Sequence, residues 1–386
     1  MFLFYLRILS DSFMNFMKRI LLLFLAIAFD SAIIHAQQSG QNKTTIHDAV
    51  YDTQITQATR LINELKATEN IPGISICVGW KHKTIWAEGF GLADIENHIP
   101  VTVETKFRIG SISKSLTGVG LAKLIEEKKI ALDSPVSKYV NYWRDKKYPI
   151  TIKQLANHTS GIRHYNFQRI EFLSREKYFS VKESIKQFSS DTLLFQPGSK
   201  YSYSTFGYVL LSAAMEGASG EDYLSFMSRR IFQPIGMKNT VPDYQDSIIL
   251  NRARCYESKS GKPVNAYYVD NSGKWAGGGF LSTPIDLVMM CQSLLSHQIL
   301  SEKNVQLLWT PNVLPSGENT GYGIGWRIAK DSMGRSIIHH GGQSVGARAF
   351  LIIYPDEELV IAITCNQSSN FNEVLAEKIA DCFLKK

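Results

Sequence analysis

The sequence predicts an α+β fold: one antiparallel sheet flanked by helices, with a mostly helical region inserted between its two halves. Three observations carry this expectation. Apolar and small residues alternate with period two soon after the start, where Ile74, Ile76, Val78 and Trp80 are spaced by Ser75, Cys77 and Gly79. A long middle stretch then carries helix-like runs. Finally, β-branched runs return near the end, at Ala349 to Tyr354 and Leu359 to Thr364. Strands at both ends around a helical middle fit a sheet assembled from the two termini. The 386 residues are 44% hydrophobic and 20% charged, which excludes disordered, collagen-like and coiled-coil classes. A chain of this length buries a large core without a disulfide or metal staple. Its net charge of +7 comes from 42 basic and 35 acidic residues without a Lys/Arg block, a solvated basic surface rather than a nucleic-acid footprint.

Each element follows in order. Ile20 to Phe29 is a short apolar run behind Lys18 and Arg19, too short to span a bilayer as a helix. It reads as the centre of a secretory signal peptide, residues 1–36, cut between Ala36 and Gln37, with Met14 or Met17 a better start than Met1. This implies a periplasmic or secreted protein, or a membrane-anchored one if the segment stays uncleaved. No Cys follows the run, which argues against a lipoprotein, and no later stretch is apolar enough to span a membrane.

Residues 37–386 read as one domain, with a sheet part at about 50–115 and 265–386 and a helical part at about 116–264. Tyr51 to Ala67 is helix-like; Ile71-Pro72-Gly73 stops it; a strand follows, then the turn Lys81-His82-Lys83 and a hairpin partner from Thr84 to Gly91. The middle, Leu116 to Leu211, includes LTGVGLAKLIEEKK, TIKQLAN and VKESIKQFSS as helices. Strands are expected at Ile324 to Ile328, Ser336 to His340, Ala349 to Tyr354 and Leu359 to Thr364, and a last helix at Asn372 to Phe383. The junction of helical insertion and sheet is the expected place for a ligand cleft. The five cysteines are far apart and odd in number, without zinc spacing; Cys77 and Cys365 look like buried small apolar residues.

Three short clusters carry the candidate chemistry. In Phe107-Arg108-Ile109-Gly110-Ser111-Ile112-Ser113-Lys114, Ser111 and Lys114 fall on one face if a helix starts near Ser111. Free N–H groups and the positive end of the helix would favour an oxyanion there and disfavour an ammonium, so a neutral Lys114 could take the Ser111 proton. The bland alternative is a helix N-cap. A second Ser-x-x-Lys, Ser174 to Lys177, lies in a charged stretch that reads as a solvated helix. The second cluster runs from Phe195 through Pro197-Gly198 to Tyr208, where Tyr203 could shuttle protons if a nearby cation lowers its pKa, or could simply be an interface aromatic. The third is Ile337 to Gly346. His340-Gly341-Gly342 would form a strand edge that another backbone can approach, and N–H groups there could complete an oxyanion hole. The alternative is a glycine turn with satisfied histidines. His339-His340 lacks a third ligand at metal spacing.

Together these clusters resemble the serine β-lactamase and penicillin-binding-protein superfamily over about residues 50 to 386. The likeness is to its class C and esterase-like branch, nearest the mitochondrial serine β-lactamase-like proteins and their bacterial relatives. Asn157-His158-Thr159-Ser160-Gly161-Ile162, Ile162 to Tyr165, Ala276 to Thr283 and Gly321 to Trp326 look like family segments too. The resemblance implies a β-lactamase/transpeptidase-like fold and an acyl-enzyme on Ser111, with Lys114 and Tyr203 sharing proton transfers. The N–H groups of Ser111 and Gln343 would hold the oxyanion, and Thr205, His340, Gly341 and Gly342 would line the substrate. No metal or organic cofactor is implied.

Two positions depart from the pattern. Thr205 stands where Asn is usual, and His340-Gly341-Gly342 replaces Lys-Thr-Gly, removing a permanent cation. Both argue against efficient β-lactam hydrolysis and leave small peptides, esters or amides as substrates. Arg348 is a candidate carboxylate anchor. The alternatives are a penicillin-binding sensor that deacylates slowly, and a self-assembling structural protein with a vestigial cleft.

Overall fold

The structure, a computed structural model, describes residues 45–166 and 171–385. The expected signal segment, 1–36, lies outside the described residues. The strands are β1 (Thr45–His47), β2 (Gly73–Trp80), β3 (Lys83–Asp94), β4 (Ile99–Pro100), β5 (Phe107–Arg108), β6 (Val241–Pro242), β7 (Tyr256–Lys259), β8 (Lys262–Asn265), β9 (Phe280–Ser282), β10 (Arg327–Lys330), β11 (Ser336–Ser344), β12 (Ala347–Tyr354) and β13 (Leu359–Cys365). The helices are α1 (Asp52–Thr68), α2 (Ser113–Glu126), α3 (Ile152–Ala156), α4 (Val181–Ile185), α5 (Thr205–Ser219), α6 (Tyr223–Met227), α7 (Trp275–Gly278), α8 (Pro284–Leu295), α9 (Glu302–Trp309) and α10 (Glu373–Leu384).

The main sheet has the order β1-β3-β2-β13-β12-β11-β10, with β4 attached to β3, and all of its pairs are antiparallel. The two termini meet where β2 pairs β13, Ile76 opposite Ile363. Period-two alternation sends Ile74, Ile76, Val78, Ile361 and Ile363 to one face, against α1 and α10. Cys77, Val360 and Ala362 go to the other, against the helical region. Period-two alternation by itself implies a strand buried on one face, but helices cover both faces of β2 and nearly the whole strand is buried. Its small residues are what allow this: a Cβ on Gly79 would lie 2.5 Å from side-chain atoms of both Val288 and Gln292 on α8.

The inserted region is less helical than the sequence suggested. TIKQLAN supplies only α3, started by a Thr151/Gln154 capping box, and VKESIKQFSS only α4. Pro149, Gly161, Pro197 and Gly198 break the intervening chain into turns. Two small sheets went unforeseen, β5-β9-β6 and the hairpin β7-β8, whose turn carries Ser260 and Gly261 at positive φ. The stretch Ile324 to Trp326, expected in a strand, is a loop pressed onto α2: a Cβ at Gly325 would sit 2.4 Å from Lys114 O, so β10 starts only at Arg327. Among the described residues, no helix is long and apolar enough to cross a membrane. The five cysteines are free, with Cys77 and Cys365 fully buried.

Candidate active site

Ser111 sits in a single 3₁₀ turn, Gly110–Ile112, that leads directly into α2. Gly110 makes the sharp entry possible with φ +49. The N-cap reading of Ser111 does not hold: the cap of α2 is Ile112, with no side-chain cap bond. The Ser111 side chain is thereby left for its neighbours. Lys114 Nζ lies 3.1 Å from Ser111 Oγ, 3.0 Å from Thr205 Oγ1 and 2.6 Å from Gly277 O. Lys114 is fully buried, and burial above all, then the positive charges of Lys274 and Arg327, hold its amine well below the ordinary lysine range. A neutral amine has two hydrogens and one lone pair. With the hydrogens on Gly277 O and Thr205 Oγ1, the lone pair is left facing the Ser111 hydroxyl.

Tyr203 packs beside this pair, its ring 4.7 Å from Lys114 Nζ. The sequence suggested a phenol with a lowered pKa. Instead burial pushes it up, while its interaction with Ser111 and the Arg327 charge pull only weakly the other way. Lys114, the nearest amine, has its own pKa depressed, and the nearby Arg327 charge does not outweigh burial, so Tyr203 rests as a proton donor. Thr205 starts α5, whose cap Ser204 accepts from Gly207 N–H. It lies against α7, where a Cβ on Gly277 would come within 2.4 Å of Thr205 Cγ2.

β11 forms the remaining wall. It does not stop at His340 but continues extended through Gly341 and Gly342 to Ser344. Pairing with β10 ends at His339 opposite Arg327, so His340 to Ser344 keep a partner only in β12. That free edge meets the Ser111 turn at van der Waals limits: a Cβ on Gly342 would lie 1.9 Å from Ile109 O, and one on Gly110 would lie 2.6 Å from Gln343 N. The backbones of Ser111 and Gln343 are thus neighbours, as a two-donor oxyanion hole requires. Arg108 holds this approach in place, giving one hydrogen bond to Asp243 (2.7 Å) and another to Val345 O (3.0 Å) at the end of β11. His340 stands 3.0 Å from the Tyr322 hydroxyl, and burial first, then Lys114, hold it well below the usual histidine range, so it is uncharged.

A cleft of about 600 Å³ opens over Ser111, Tyr203, Thr205, His340, Gly341 and Gln343. Every residue that the sequence singled out around Ser111 thus borders or supports one place. Arg348 lines the same cleft, with its Nε donating to Phe371 O. His164, from the family-like segment Ile162 to Tyr165, accepts from Thr205 N–H, whereas two other wall residues, the cations Lys274 and Arg327, had no site reading in the sequence. His158, whose family-like segment was visible, accepts from Ser204 N–H and packs against Tyr203 with ring centroids 4.3 Å apart at a tilt of 44°. Lys274 and Arg327 carry no motif; only the fold brings them here. Among the described residues, no group of three or more His, Cys, Asp or Glu side chains could hold a metal ion.

Comparison with known proteins agrees with this architecture. The beta-lactamase family model matches residues 58–381. The human mitochondrial serine beta-lactamase-like protein LACTB is 33% identical, over 83% of this chain and 78% of that protein. Among solved structures, an octameric penicillin-binding protein homologue from Pyrococcus abyssi superposes with a TM-score of 0.76 at 27% identity, covering 86% of this chain and 78% of its own. A D-stereospecific amidohydrolase from Streptomyces shares the fold with a TM-score of 0.72 at 23% identity, over 86% and 98% of the two chains. The chain belongs to the beta-lactamase family.

Proposed function

We propose that this chain is a serine hydrolase that forms an acyl-enzyme on Ser111 and acts on small peptides, esters or amides. One observation carries the reading: the fully buried Lys114 amine lies 3.1 Å from the Ser111 hydroxyl, and burial holds it well below the ordinary lysine range. As Ser111 Oγ attacks a carbonyl carbon, its proton moves to Lys114 Nζ and the carbonyl π electrons move to oxygen. The N–H groups of Ser111 and Gln343 stabilise that oxyanion, and its negative charge offsets the new ammonium at Lys114. The tetrahedral intermediate collapses when the leaving amine or alkoxide takes a proton from Tyr203, which Lys114 resupplies. Water then repeats the sequence on the acyl-enzyme and frees Ser111.

Ser111→Ala tests the reading. Turnover of aminoacyl peptides, p-nitrophenyl esters or nitrocefin should vanish, and a fluorophosphonate should no longer add its mass to the chain. Labelling at the native rate in that variant would remove Ser111 from the role.

A second reading, a penicillin-binding sensor that deacylates slowly, is favoured by one feature. Among the described cleft-lining residues, Glu373 is the sole carboxylate, which leaves few anionic groups to activate a deacylating water. Single-turnover kinetics decide: a burst without steady turnover supports the sensor, and sustained turnover rejects it. We place either activity outside the cytoplasm, on the apolar run after Lys18-Arg19; a cell fractionation that finds the chain only in cytosol rejects this.

A further inference from the structure

Lys114 needs a surrounding that keeps it uncharged, and the strand beside it does not provide the charge for that, since His340 is neutral. The polar and titratable groups around Lys114 come from six segments. Ser111 belongs to its own turn; Tyr203, Thr205 and Tyr208 to the start of α5 and the residues just before it; His158 and His164 to the loop after α3; His340 to β11; Arg327 to β10; and Lys274, with the Gly277 carbonyl that lies 2.6 Å from Lys114 Nζ, to α7 and the turn that leads into it. The phenols and hydroxyls are neutral, and the three imidazoles are held in their neutral forms chiefly by burial, His164 at about 4. Two permanent or near-permanent cations remain. Arg327 is exposed, and solvent screens it. Lys274 is only 8% exposed and lies in the cleft wall, its Nζ 5.5 Å from the Tyr165 ring centre and 5.0 Å from that of Phe172.

The groups that face Lys274 do not cancel it. Arg108 repels it; Asp243 attracts it but is already paired with Arg108 and Arg252; Asp270 attracts it but accepts from the N–H and hydroxyl of Ser272. Its ammonium therefore looks into the cleft with aromatic walls and little screening, where a charge acts over longer range than in water.

We propose that Lys274 is a positioning residue for the reaction: its ammonium adds, from outside all three sequence clusters, a positive field that helps burial keep the Lys114 amine free of its proton. The inference rests on the reading of Lys114 as the base for Ser111. Burial, with help from Arg108, brings Lys274 itself down to about 8, so it is charged at neutral pH, where the field is needed. Without that charge Lys114 keeps its proton to higher pH, and the acid limb of reactivity moves upward.

The test is the rate at which a fluorophosphonate labels Ser111, followed by intact-mass spectrometry on the full chain between about pH 5 and 9. Lys274→Met should raise the acid midpoint by about half a pH unit or more, and Lys274→Gln should do the same. Lys274→Arg, which stays charged, should return the midpoint to the native value. An unmoved midpoint in the neutral variants, with only a lower plateau at every pH, means that Lys274 is a structural residue and overturns the proposal. A native chain that takes no label on Ser111 overturns the underlying reading instead, and the proposal with it.

Discussion

The chain contains the same tetrapeptide pattern twice, and the two copies have opposite fates. Ser111 and Lys114 are part of a turn and helix packed into the interior, where, among the described residues, Lys114 Nζ hydrogen-bonds one carbonyl and two hydroxyls. Ser174 and Lys177 lie on an irregular surface segment, not the solvated helix that their charged neighbours suggested. There Ser174 Oγ accepts from Glu176 N–H at 3.2 Å, and Lys177 is exposed and ion-paired with Asp246. Burial holds the first amine below the lysine range; the hydrogen bond to Asp246 raises the second. Spacing supplies a hydroxyl and an amine. Desolvation without a counter-ion is what turns the amine into a base at neutral pH.

This contrast can be broken or sharpened by experiment, beginning with the largest effect. Ser111→Ala should lower kcat/KM by about 10⁴-fold or more, measured on whichever ester or peptide gives the best native rate. Lys114→Met should cost about 10²–10⁴-fold in kcat/KM without lowering Tm, because an apolar side chain replaces a buried amine of similar length. The double variant should be no slower than Ser111→Ala alone, since the two groups act as a unit. A product of the two single losses would contradict that pairing.

Gly342→Ala comes next. Its Cβ would meet Ile109 O at 1.9 Å and force β11 away from the Ser111 turn. The expected cost is about 1–3 kcal/mol in stability, with a fall in kcat that calorimetry and kinetics together would register. The pH dependence has a definite sign as well. Because burial depresses the Lys114 pKa, its neutral amine is available at lower pH than that of an ordinary lysine, and activity is lost as pH falls and the amine takes up a proton. A profile that instead rises only toward the ordinary lysine range of about 10.4 would show the amine to be charged. The smallest effect belongs to the surface copy: Ser174→Ala and Lys177→Met should change stability by less than about 0.5 kcal/mol and leave turnover unchanged.

Much of this was legible in the residues. β-branched runs with period-two faces marked β12 and β13, and a terminal apolar periodicity marked α10, because those patterns match the burial they produce. Ser111, Lys114, Tyr203 and His340-Gly341-Gly342 were visible as motifs because short local spacing encodes them. The Gly-Gly pair was readable as a place of close approach, although not as a continued strand. What approaches it is Ile109, a contact between distant parts of the chain.

Other features were out of reach for a stated reason. That β2 is buried on both faces depends on α8, which a local pattern cannot see. The elevated Tyr203 pKa, the depressed Lys114 pKa and the placement of the cations Lys274 and Arg327 all arise from which groups the fold assembles around one cavity. Local sequence determined the candidate nucleophile, its amine and the main strands at the two ends of the chain, since backbone periodicity and turn chemistry act over a few residues. Tertiary structure alone decided the protonation of those groups, because desolvation and through-space charge depend on neighbours far apart in the chain.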